Sequence, residues 1–494
     1  MRRSLQGFLR FARTPLADEG AAGAVCEGSR VNLDDTIVAI ATPPGRGGIG
    51  VVRLAGAESK EIAGKMLRFV GGRALEAGRA HFGELVEIEG GERIDEVVAT
   101  WFQAPHSYTT DDVVEISCHG SPVVLRRVVE MAIAQGARLA EPGEFTQRAF
   151  LNGRLDLIQA EAVRDLIDAQ TVYQAKVAAR QLKGSLSQLL MPVKEKVVAL
   201  IARLEAGIDF AEDDVPVMPA GEILAAMEEV SATLQRLEAS FAFGKVVHEG
   251  LMLAIVGRPN VGKSSLFNRL VERERAIVTA MPGTTRDLVT ETVALGGIPV
   301  RVVDTAGVRE ALERDRLDEA EHIGIRKSME ALADADLVLV VLDCGAGPTG
   351  VDRELLADVA GRAAIVVHNK ADLGGGGEPL EIAAATPDSS IPVVRTSALT
   401  GGGIAELRAE ILRTVRGGAA EDGGAMLTNL RQQVQVQASL EALAAAASSV
   451  QNGIPHEMVL LDLYNALRAL DELSGATAAE DILNLIFSTF CIGK

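Results

Sequence analysis

Short runs of alternating apolar and polar residues dominate the chain from about Asp35 to Phe150. This spacing predicts β-strands in "TIVAIA", "GIGVVRL", "EVVATWF" and "DVVEISC". Apolar residues recur at helical spacing in "ESKEIAGKMLRFV" and "SPVVLRRVVEMAIAQG". Strands and helices mixed in this way predict a small α+β domain.

The helical period takes over from about Leu155 to Phe243 and returns after Gly417. It is clearest in "LDLIQAEAVRDLIDAQ", "GEILAAMEEVSATLQRLEASF" and "LTNLRQQVQVQASLEALAAAASSV". These stretches predict the long helices of a bundle.

The chain ends in a further amphipathic helix followed by "CIGK". Thr477-x-x-Glu480 has the pattern of a capping box, which predicts where this helix begins. Its predicted buried face is Ile482, Ile486 and Phe490, with Leu483 and Phe487 beside it. Burial of that face would direct the chain end to a fixed place.

Between the helical stretches, from Gly250 to about Val415, strand, loop and helix patterns alternate. Apolar runs such as "LMLAIVG", "VRVVDTA", "ADLVLVVLD" and "AAIVVHN" predict an open, mostly parallel sheet flanked by helices. Gly296-Gly297 in "VALGGIPVRVV" predicts a hairpin and one antiparallel pair.

The predicted fold is a multidomain α/β and α protein, in which the α/β domain is inserted into a loop of a helical domain. The predicted segments are an extension at 1–30, the α+β domain at 31–150, helices at 151–248, the α/β domain at 249–416 and helices with the tail at 417–494.

Charge and cysteine usage narrow the classes of function. The net charge of −19 argues against a bulk nucleic-acid binder, so RNA would be met on a local basic patch or through a second protein. The four cysteines are far apart, which argues against a zinc site or disulfide framework and suits a reducing compartment. No apolar run approaches 18 residues, so no membrane span is expected.

The first residues, "MRRSLQGFLRFAR", are basic and lack acids, as in an organellar transit peptide. Acidic residues follow soon after, which suits a disordered extension equally well. A cytoplasmic location is expected, with the mitochondrial matrix as the alternative.

"GRPNVGKS", Gly257 to Ser264, fits the phosphate-binding pattern G-x-x-x-x-G-K-[ST] between a buried strand and a helix. Glycines let backbone N–H groups surround phosphate oxygens, and the helix N-terminus adds positive potential. Lys263 would reach the β- and γ-phosphates, and the Ser264 hydroxyl is a Mg²⁺ ligand in such loops.

Three further loops follow strands in order: "DTAG", "NKAD" and "TSA". Asp372 would accept two hydrogen bonds from guanine, a pair that adenine does not offer, so the loops favour GTP over ATP. The inserted α/β domain is therefore predicted to be of the Ras-like P-loop GTPase type. The polar loop "TAMPGTTRD" suits a mobile switch. The candidate GTP-binding residues are Asn260, Val261, Gly262, Lys263, Ser264, Ser265, Thr279, Ala280, Met281, Pro282, Gly283, Thr284, Thr285, Asp304, Thr305, Ala306, Gly307, Asn369, Lys370, Asp372, Ser397 and Ala398.

Ras-type GTPases place a water-orienting Gln after D-x-x-G, but this chain has Val308 there, so catalysis must use another group. The sequence resembles the tRNA-modifying GTPase family called MnmE or TrmE from about Asp35 to its end. The resemblance rests on "TIVAIATPPGRGGIGVVRL", "PGEFTQRAFLNGRLDLIQAEAVRDLIDA", "EAGIDF", "GRPNVGKSSLFN", "PGTTRD", "DTAG", "IGI" and "FCIGK".

The resemblance implies potassium-dependent GTP hydrolysis, in which K⁺ takes the place of an arginine finger. It implies K⁺ ligands at Asn260, Thr279, Met281 (through its carbonyl) and Thr284, and Mg²⁺ ligands at Ser264 and Thr285. The catalytic, water-orienting residue it implies is Glu321, before "IGI". The segment after "DTAG" is longer than is usual in the family, so Glu319 is the alternative.

The resemblance also implies a tetrahydrofolate-binding N-terminal domain through which two copies form a homodimer. Implied folate contacts are Arg53, Glu115, Arg154 and Lys494, and the folate is 5-formyltetrahydrofolate or methylene-tetrahydrofolate. With an FAD-dependent partner protein, the family adds a carboxymethylaminomethyl group at C5 of the tRNA wobble uridine.

The residues alone are less specific here. Polar side chains that alternate along a strand, such as Arg53 and Glu115, usually only face solvent. A basic residue that follows a turn, such as Arg154, is equally commonplace. His119 in "SCHGS" has no placed partner in the sequence, which favours a structural role. The end "CIGK" fits prenylation poorly. With the resemblance, the tail is expected to work in catalysis through Cys491, rather than to fray.

Two other classes share some of these motifs. A regulatory GTPase of ribosome assembly shares the nucleotide loops and lacks Gln after D-x-x-G, but usually carries its GTPase domain first and a basic RNA-binding domain after it. A dynamin-like membrane GTPase would need a basic amphipathic anchor. The domain order and "FCIGK" favour the tRNA-modifying family over both.

Overall fold

The computed structural model describes residues 33–72, 74–209, 218–271, 290–304, 335–346, 348–373, 391–417 and 424–493. These residues fall in two compact units. The first unit contains 33–38, Pro44–Phe102 and Asp111–Leu139, and the second contains Ala39–Pro43, Gln103–Thr110 and the chain from Ala140 onward. The domain boundaries predicted from the sequence stay predictions.

A seven-stranded sheet dominates the first unit. Its strands are β1 (Ile37–Ile40), β2 (Gly47–Ala55), β3 (Leu67–Phe69), β4 (Ala80–Val86), β5 (Arg93–Phe102), β6 (Val113–Gly120) and β7 (Arg138–Leu139). They lie in the order β3-β4-β5-β6-β2-β1-β7. The β3–β4, β4–β5, β5–β6 and β6–β2 pairs are antiparallel, and β1 pairs with β7 in parallel.

Helices α1 (Ser59–Met66) and α2 (Pro122–Ala134) pack against this sheet and against each other. Most of their apolar residues are buried, as the helical spacing predicts, although Val123 and Ile133 of α2 are exposed. A Cβ on Gly50 would come within 2.4 Å of the end of the Leu125 side chain, so a larger residue there would displace that leucine.

Several elements of the first unit differ from the prediction, among them the short strand β7, which was not predicted. The helix predicted through Val70 ends at Met66, because Leu67–Phe69 pair with β4 as a strand. Strand β4 itself was not predicted. Its Gly83 and polar residues weaken the alternation, and the strand is held by pairing to β5.

The second unit begins its helical part with five helices. These are α3 (Glu144–Leu151), α4 (Leu157–Asp168), α5 (Val172–Leu182), α6 (Ser185–Asp209) and α7 (Ala220–Glu249). Both α4 and α5 begin with capping boxes, at Asp156 with Gln159 and at Thr171 with Gln174.

The chain then passes through Gly250 into a six-stranded sheet. Its elements are β8 (Leu251–Val256), α8 (Lys263–Val271), β9 (Thr290–Leu295), β10 (Ile298–Asp304), β11 (Leu337–Asp343), α9 (Gly350–Asp358), β12 (Ala364–Asn369), β13 (Val393–Arg395) and α10 (Ile404–Arg416). The strand order is β13-β12-β11-β8-β10-β9. All pairs are parallel except the β9–β10 hairpin, which turns on Gly296 and Gly297 as predicted.

Helices α11 (Leu430–Gln451), α12 (His456–Ser474) and α13 (Glu480–Ser488) complete the chain. Side chains of α6, α7, α11 and α12 share one aliphatic core, with Leu204, Leu234, Leu443 and Leu463 nearly inaccessible to solvent. The predicted insertion of an α/β fold between two helical stretches is confirmed. Within the described ranges, no helix combines the length and the apolar composition needed to cross a membrane.

The start of the last helix was predicted wrongly. Ala479 is its N-cap, without a side-chain capping bond, and the helix begins at Glu480. The buried side chains are Leu483, Phe487 and Phe490, which all belong to the predicted set, whereas Ile482 is 39% exposed and Ile486 is only partly buried. The prediction that one face of this helix is buried is confirmed, with Leu483 and Phe487 at its centre in place of Ile482 and Ile486.

Candidate functional sites

The loop between β8 and α8 has the backbone that a phosphate cradle requires. Asn260 and Gly262 lie in the left-handed region, with φ values of 63° and 95°. A Cβ on Gly262 would come within 2.4 Å of Nδ2 of Asn369, so only glycine fits there. Because α8 begins at Lys263, the unpaired N–H groups of its first turn lie at the end of this loop.

Lys263 is nearly buried against the same loop. Its ammonium donates to the carbonyl oxygens of Gly257 and Arg258, both at 2.9 Å. A lysine ammonium beside a loop of this kind can form charge-assisted hydrogen bonds with an anion such as a phosphate. Ser264 and Ser265 follow in the first turn of α8.

The ends of β12 and β13 meet beside the phosphate loop. The Asn369 carboxamide donates from Nδ2 to the carbonyl of Val261 at 2.9 Å and accepts at Oδ1 from the Ala398 N–H at 3.0 Å. Ser397 Oγ donates to the Asp372 carboxylate at 2.5 Å. A cavity of about 510 Å³ lies here, lined among others by Gly262, Lys370 and Asp372.

Lys370 also contacts the end of β11. Its ammonium lies 2.8 Å from Asp343 Oδ2. Burial would raise the pKa of Asp343, but the Lys370 ammonium and the Gly345 N–H hold it below its ordinary value. This ion pair fixes the "NKAD" loop to the neighbouring strand.

Sequence reasoning missed two arginines of this site. Arg258 forms an ion pair at 2.9 Å with Asp352, which is fully buried and also caps α9. Arg269 donates to the carbonyls of Ala398 and Leu399 at 2.9 and 2.7 Å, which holds the "TSA" loop. The pattern Thr349-x-x-Asp352 was a capping signal in the sequence, but nothing there linked it to Arg258.

Several predicted residues lie outside the described residues. They are Thr279, Ala280, Met281, Pro282, Gly283, Thr284, Thr285, Thr305, Ala306, Gly307, Glu319, Glu321 and Lys494. Asp304 ends β10 as predicted. The roles given to these residues stay predictions.

In the first unit, the structure brings Arg53 and Glu115 together. They are directly opposite on β2 and β6, and Nε and Nη2 of the arginine donate to Glu115 Oε1 at 3.0 and 2.7 Å. The side chains are 13% and 31% exposed. The pair presents a cation and an anion on one partly open face of the sheet.

Arg154 belongs to the second unit. Its guanidinium donates to the carbonyl of Ser107 at 2.6 Å and lies 5.2 Å from the centre of the Tyr108 ring. The Tyr108 hydroxyl is 2.9 Å from that of Thr146 on α3. The loop around Tyr108 was not singled out in the sequence, although its Pro105 and Ser107 indicate a turn.

The C-terminal tail is held in place within the second unit. Ile492 forms a β-bridge with Pro142. Gly493 has a φ of 94°, and a Cβ there would come within 2.4 Å of the carbonyl oxygen of Ile40. Cys491, beside the buried Phe490, is exposed and free. The tail is therefore docked rather than frayed.

The sequence interpretation of His119 needs correction. Its Nδ1 lies 2.6 Å from Oδ1 of Asp95, a residue 24 positions earlier in the chain. The histidine thus has a carboxylate partner, which the sequence could not place.

Taken together, the parallel sheet, the phosphate loop and the guanine-type loops define a P-loop guanine-nucleotide-binding protein. A family model described as "GTP-binding protein TrmE N-terminus" matches residues 36–154. A second, described as "MnmE helical domain", matches residues 157–491.

Curated relatives agree with these family matches. A "tRNA modification GTPase MnmE" of Koribacter versatilis is 66% identical over 467 residues, which is 94% of this chain and 100% of the relative. Proteins of the same name from Moorella thermoacetica and Aquifex aeolicus are 44% and 43% identical, each over 94% of this chain and 100% of the relative. The chain belongs to the MnmE family of tRNA modification GTPases, and it is a GTP hydrolase.

Proposed function

We propose that this GTP hydrolase, together with an FAD-dependent partner protein, adds a carboxymethylaminomethyl group at C5 of the wobble uridine of certain tRNAs. The observation that carries the proposal is the docked cysteine tail in a chain of this family that also has ordered guanine-recognition loops. A GTPase that served only as a switch would not need an exposed thiol held beside a buried helix end.

For the nucleotide, the proposal assigns phosphate binding to the loop from Asn260 to Ser265 and base recognition to Asn369, Asp372 and Ala398. The left-handed Asn260 and Gly262 and the buried ammonium of Lys263 fit a bound triphosphate. Mg²⁺ would be held by the hydroxyls of Ser264 and Thr285, since hydroxyl oxygens are ligands that it accepts. When bound, Mg²⁺ supplies charge neutralisation at the β- and γ-phosphates.

We also propose that K⁺ assists hydrolysis and that Glu321 orients the attacking water, with Glu319 as the alternative. The proposed K⁺ ligands are Asn260, Thr279, Met281 and Thr284. The position of Asn260 supports its part, because it lies in the phosphate loop and is exposed there. Val308 in place of glutamine supports the need for another water-orienting group.

The one-carbon unit is proposed to come from 5-formyltetrahydrofolate or methylene-tetrahydrofolate. The Arg53–Glu115 pair supports folate binding, because a guanidinium and a carboxylate lie side by side, and these are the two kinds of group that can hydrogen-bond to the amide edge of a pterin. The family resemblance adds Arg154 and Lys494 as folate contacts and Cys491 as a catalytic residue.

The proposed assembly is a homodimer that joins the FAD-dependent protein in a heterotetramer and acts on tRNA. The proposed location is the cytoplasm, or the mitochondrial matrix if residues 1–30 are a transit peptide. A regulatory role in ribosome assembly stays the alternative function, and no contact in the described residues favours it.

Mass spectrometry of wobble uridines tests the proposal. tRNA from cells that lack this chain is compared with tRNA from cells that carry it, and with tRNA from cells that carry Lys263→Ala. The proposal predicts C5-modified wobble uridine only with the unaltered chain. Equal modification in all three samples would contradict it.

A further inference from the structure

The sheet of the first unit carries an aspartate–histidine pair that no role above uses. Oδ1 of Asp95 lies 2.6 Å from Nδ1 of His119, and Oδ2 accepts the His119 backbone N–H at 2.9 Å. Oδ1 also accepts the N–H of Glu96 at 2.8 Å. The Asp95 side chain is only 9% exposed, whereas that of His119 is 72% exposed.

This geometry determines which ring nitrogen holds the proton. An ionised carboxylate only accepts hydrogen bonds, so the nitrogen facing it, Nδ1, is the protonated one. Nε2 of His119 then carries the lone pair and makes no hydrogen bond to any part of the chain that the structure describes. A buried carboxylate that orients an exposed imidazole is the arrangement used for proton transfer.

Two irregularities of the sheet lie next to the pair. The β2–β6 register shifts between Gly47 and Ile49, directly opposite His119, and the β4–β5 register shifts between Leu85 and Val86, opposite Asp95. Bulges of this kind redirect side chains and are common beside active sites.

A glycine contact also fixes the backbone there. A Cβ on Gly120 would come within 2.4 Å of the Gly47 carbonyl oxygen, so the turn after His119 can be built only with glycine. The backbone that carries the imidazole is therefore held firmly against β2.

The pair shares a face of the sheet with the Arg53–Glu115 pair. Glu115, Ser117 and His119 alternate along β6, so their side chains emerge on the same side, and Glu115 and His119 are separated by about 13 Å along the strand. The intervening Cys118 faces the core, where burial raises the pKa of its thiol to about 12. His119 thus places an imidazole on the exposed side of this strand, and imidazole is the side chain most often used for general acid–base catalysis.

We propose that His119 is an acid–base residue of the first unit, positioned by Asp95, and that it acts on the heterocyclic substrate recognised by the Arg53–Glu115 pair. This inference rests on the proposed function, because the substrate that it assumes is one that takes part in the proposed one-carbon and uridine chemistry. Nε2 accepts the proton of an N–H or C–H group of the substrate, and the electron pair of the broken bond stays on the substrate. The Asp95 carboxylate stabilises the imidazolium, and the proton then passes to water or back to the product.

The first test is kinetic and uses the full-length chain with its partner and tRNA. His119→Ala is expected to lower the turnover of uridine modification by about 10²-fold or more, with an unchanged KM for folate and unchanged GTP hydrolysis. Because the side chain is exposed, free imidazole should restore part of the lost rate. His456→Ala, on α12, is the matched control and should change none of these quantities.

The second test does not depend on activity. Diethyl pyrocarbonate reacts with the lone pair of a neutral imidazole, and peptide mass spectrometry gives the rate at each histidine. In Asp95→Asn, the carboxamide can donate to Nδ1 and moves the proton to Nε2, so His119 should react several-fold more slowly. The rate at His456 should not change.

The outcomes separate the two proposals. If the unaltered chain modifies no tRNA, the proposed function fails and the role of His119 fails with it. If the unaltered chain is active and His119→Ala is equally active, the proposed function stands and this inference is overturned. A loss of activity that imidazole does not restore, together with an unchanged His119 reaction rate in Asp95→Asn, would show that the pair only supports the fold, which also overturns the inference.

Discussion

Two residues of the nucleotide site hold a backbone conformation that side chains other than glycine rarely adopt. Asn260 has a φ of 63° and Lys370 a φ of 65°. Asparagine tolerates this region, but lysine is strained there by roughly 1–3 kcal/mol. The ion pair of Lys370 with Asp343 helps to hold it. Strain of this kind is typical of ligand sites, and both residues lie in loops that the sequence assigned to the nucleotide.

Base recognition gives a prediction for Asp372. In Asp372→Asn, an amide N–H₂ faces the N–H donors of guanine, so GTP affinity should fall by about 10- to 100-fold. Xanthosine triphosphate, which presents an acceptor at that position, should bind better than GTP. Fluorescent nucleotide titration measures both, with Asp358→Asn on the exposed end of α9 as the control. Unchanged GTP affinity would refute the assignment of "NKAD".

At the scale of elements, one buried carboxylate joins three helices. Glu161 on α4 is 4% exposed and accepts from Arg431 at 2.7 and 3.0 Å, and from Asn429 and Gln432 at 3.0 Å. Arg431 also donates to carbonyls at the end of α12. Burial would raise the pKa of Glu161, but these donors hold it below its ordinary value.

Glu161→Ala should therefore destabilise the helical part by about 3 kcal/mol, because it leaves the Arg431 guanidinium without its partner. Since the folded-state pKa is depressed, the carboxylate stabilises the fold above its unfolded-state pKa, and this contribution is lost as the pH falls through the folded-state value. Urea denaturation should thus show the largest difference near neutral pH and a smaller one in strong acid. Glu228→Gln, exposed on α7, is the control. A difference that did not change with pH would contradict the ionised state of Glu161.

The end of α13, just before the C-terminal tail, is held by packing between helices. Phe487 and Phe490 pack against α4 residues such as Leu157, and a Cβ on Gly143 would come within 2.6 Å of the Phe487 carbonyl oxygen. Arg164 on α4 donates to the Thr489 hydroxyl at 2.9 Å. These contacts hold the helix end without any help from the last four residues.

Deleting Cys491–Lys494, or changing Cys491→Ser, should therefore abolish wobble-uridine modification and leave GTP hydrolysis and the fold unchanged. Nucleoside mass spectrometry and phosphate release measure the two activities. Ser488→Ala, exposed on the same helix, should retain both. Full modification by the truncated chain would show that the tail is only a terminus.

For the whole molecule, the nucleotide site predicts a dependence on the monovalent cation. GTP turnover should rise at least about tenfold when Na⁺ is replaced by K⁺ at equal ionic strength, because K⁺ would supply positive charge that an arginine finger supplies elsewhere. Phosphate release under saturating GTP measures it. Equal rates in the two salts would remove K⁺ from the mechanism.

The sequence predicted those parts of the molecule whose information is local. The phosphate loop lies between a buried strand and a helix, and the β9–β10 hairpin turns on Gly296-Gly297. Both could be predicted, because glycine positions and apolar runs determine such turns. The pairs Asp95–His119 and Arg258–Asp352 could not be predicted, since they join residues 24 and 94 positions apart. The sequence pattern predicts helix where β3 lies, because only the pairing of β3 with β4 makes this segment extended.

Reconstitution with a labelled folate shows whether the one-carbon unit reaches the wobble uridine through this protein. The purified chain, its FAD-dependent partner, unmodified tRNA, GTP, Mg²⁺ and K⁺ are combined with methylene-tetrahydrofolate that carries ¹³C in its one-carbon unit and with glycine, the amine that supplies the carboxymethylamino part of the product. The account predicts that the C5 substituent of the wobble uridine gains one heavy carbon, and that the label is absent with Lys263→Ala or without the last four residues. A modified uridine that carries no label, or label that appears with either variant, would contradict the account.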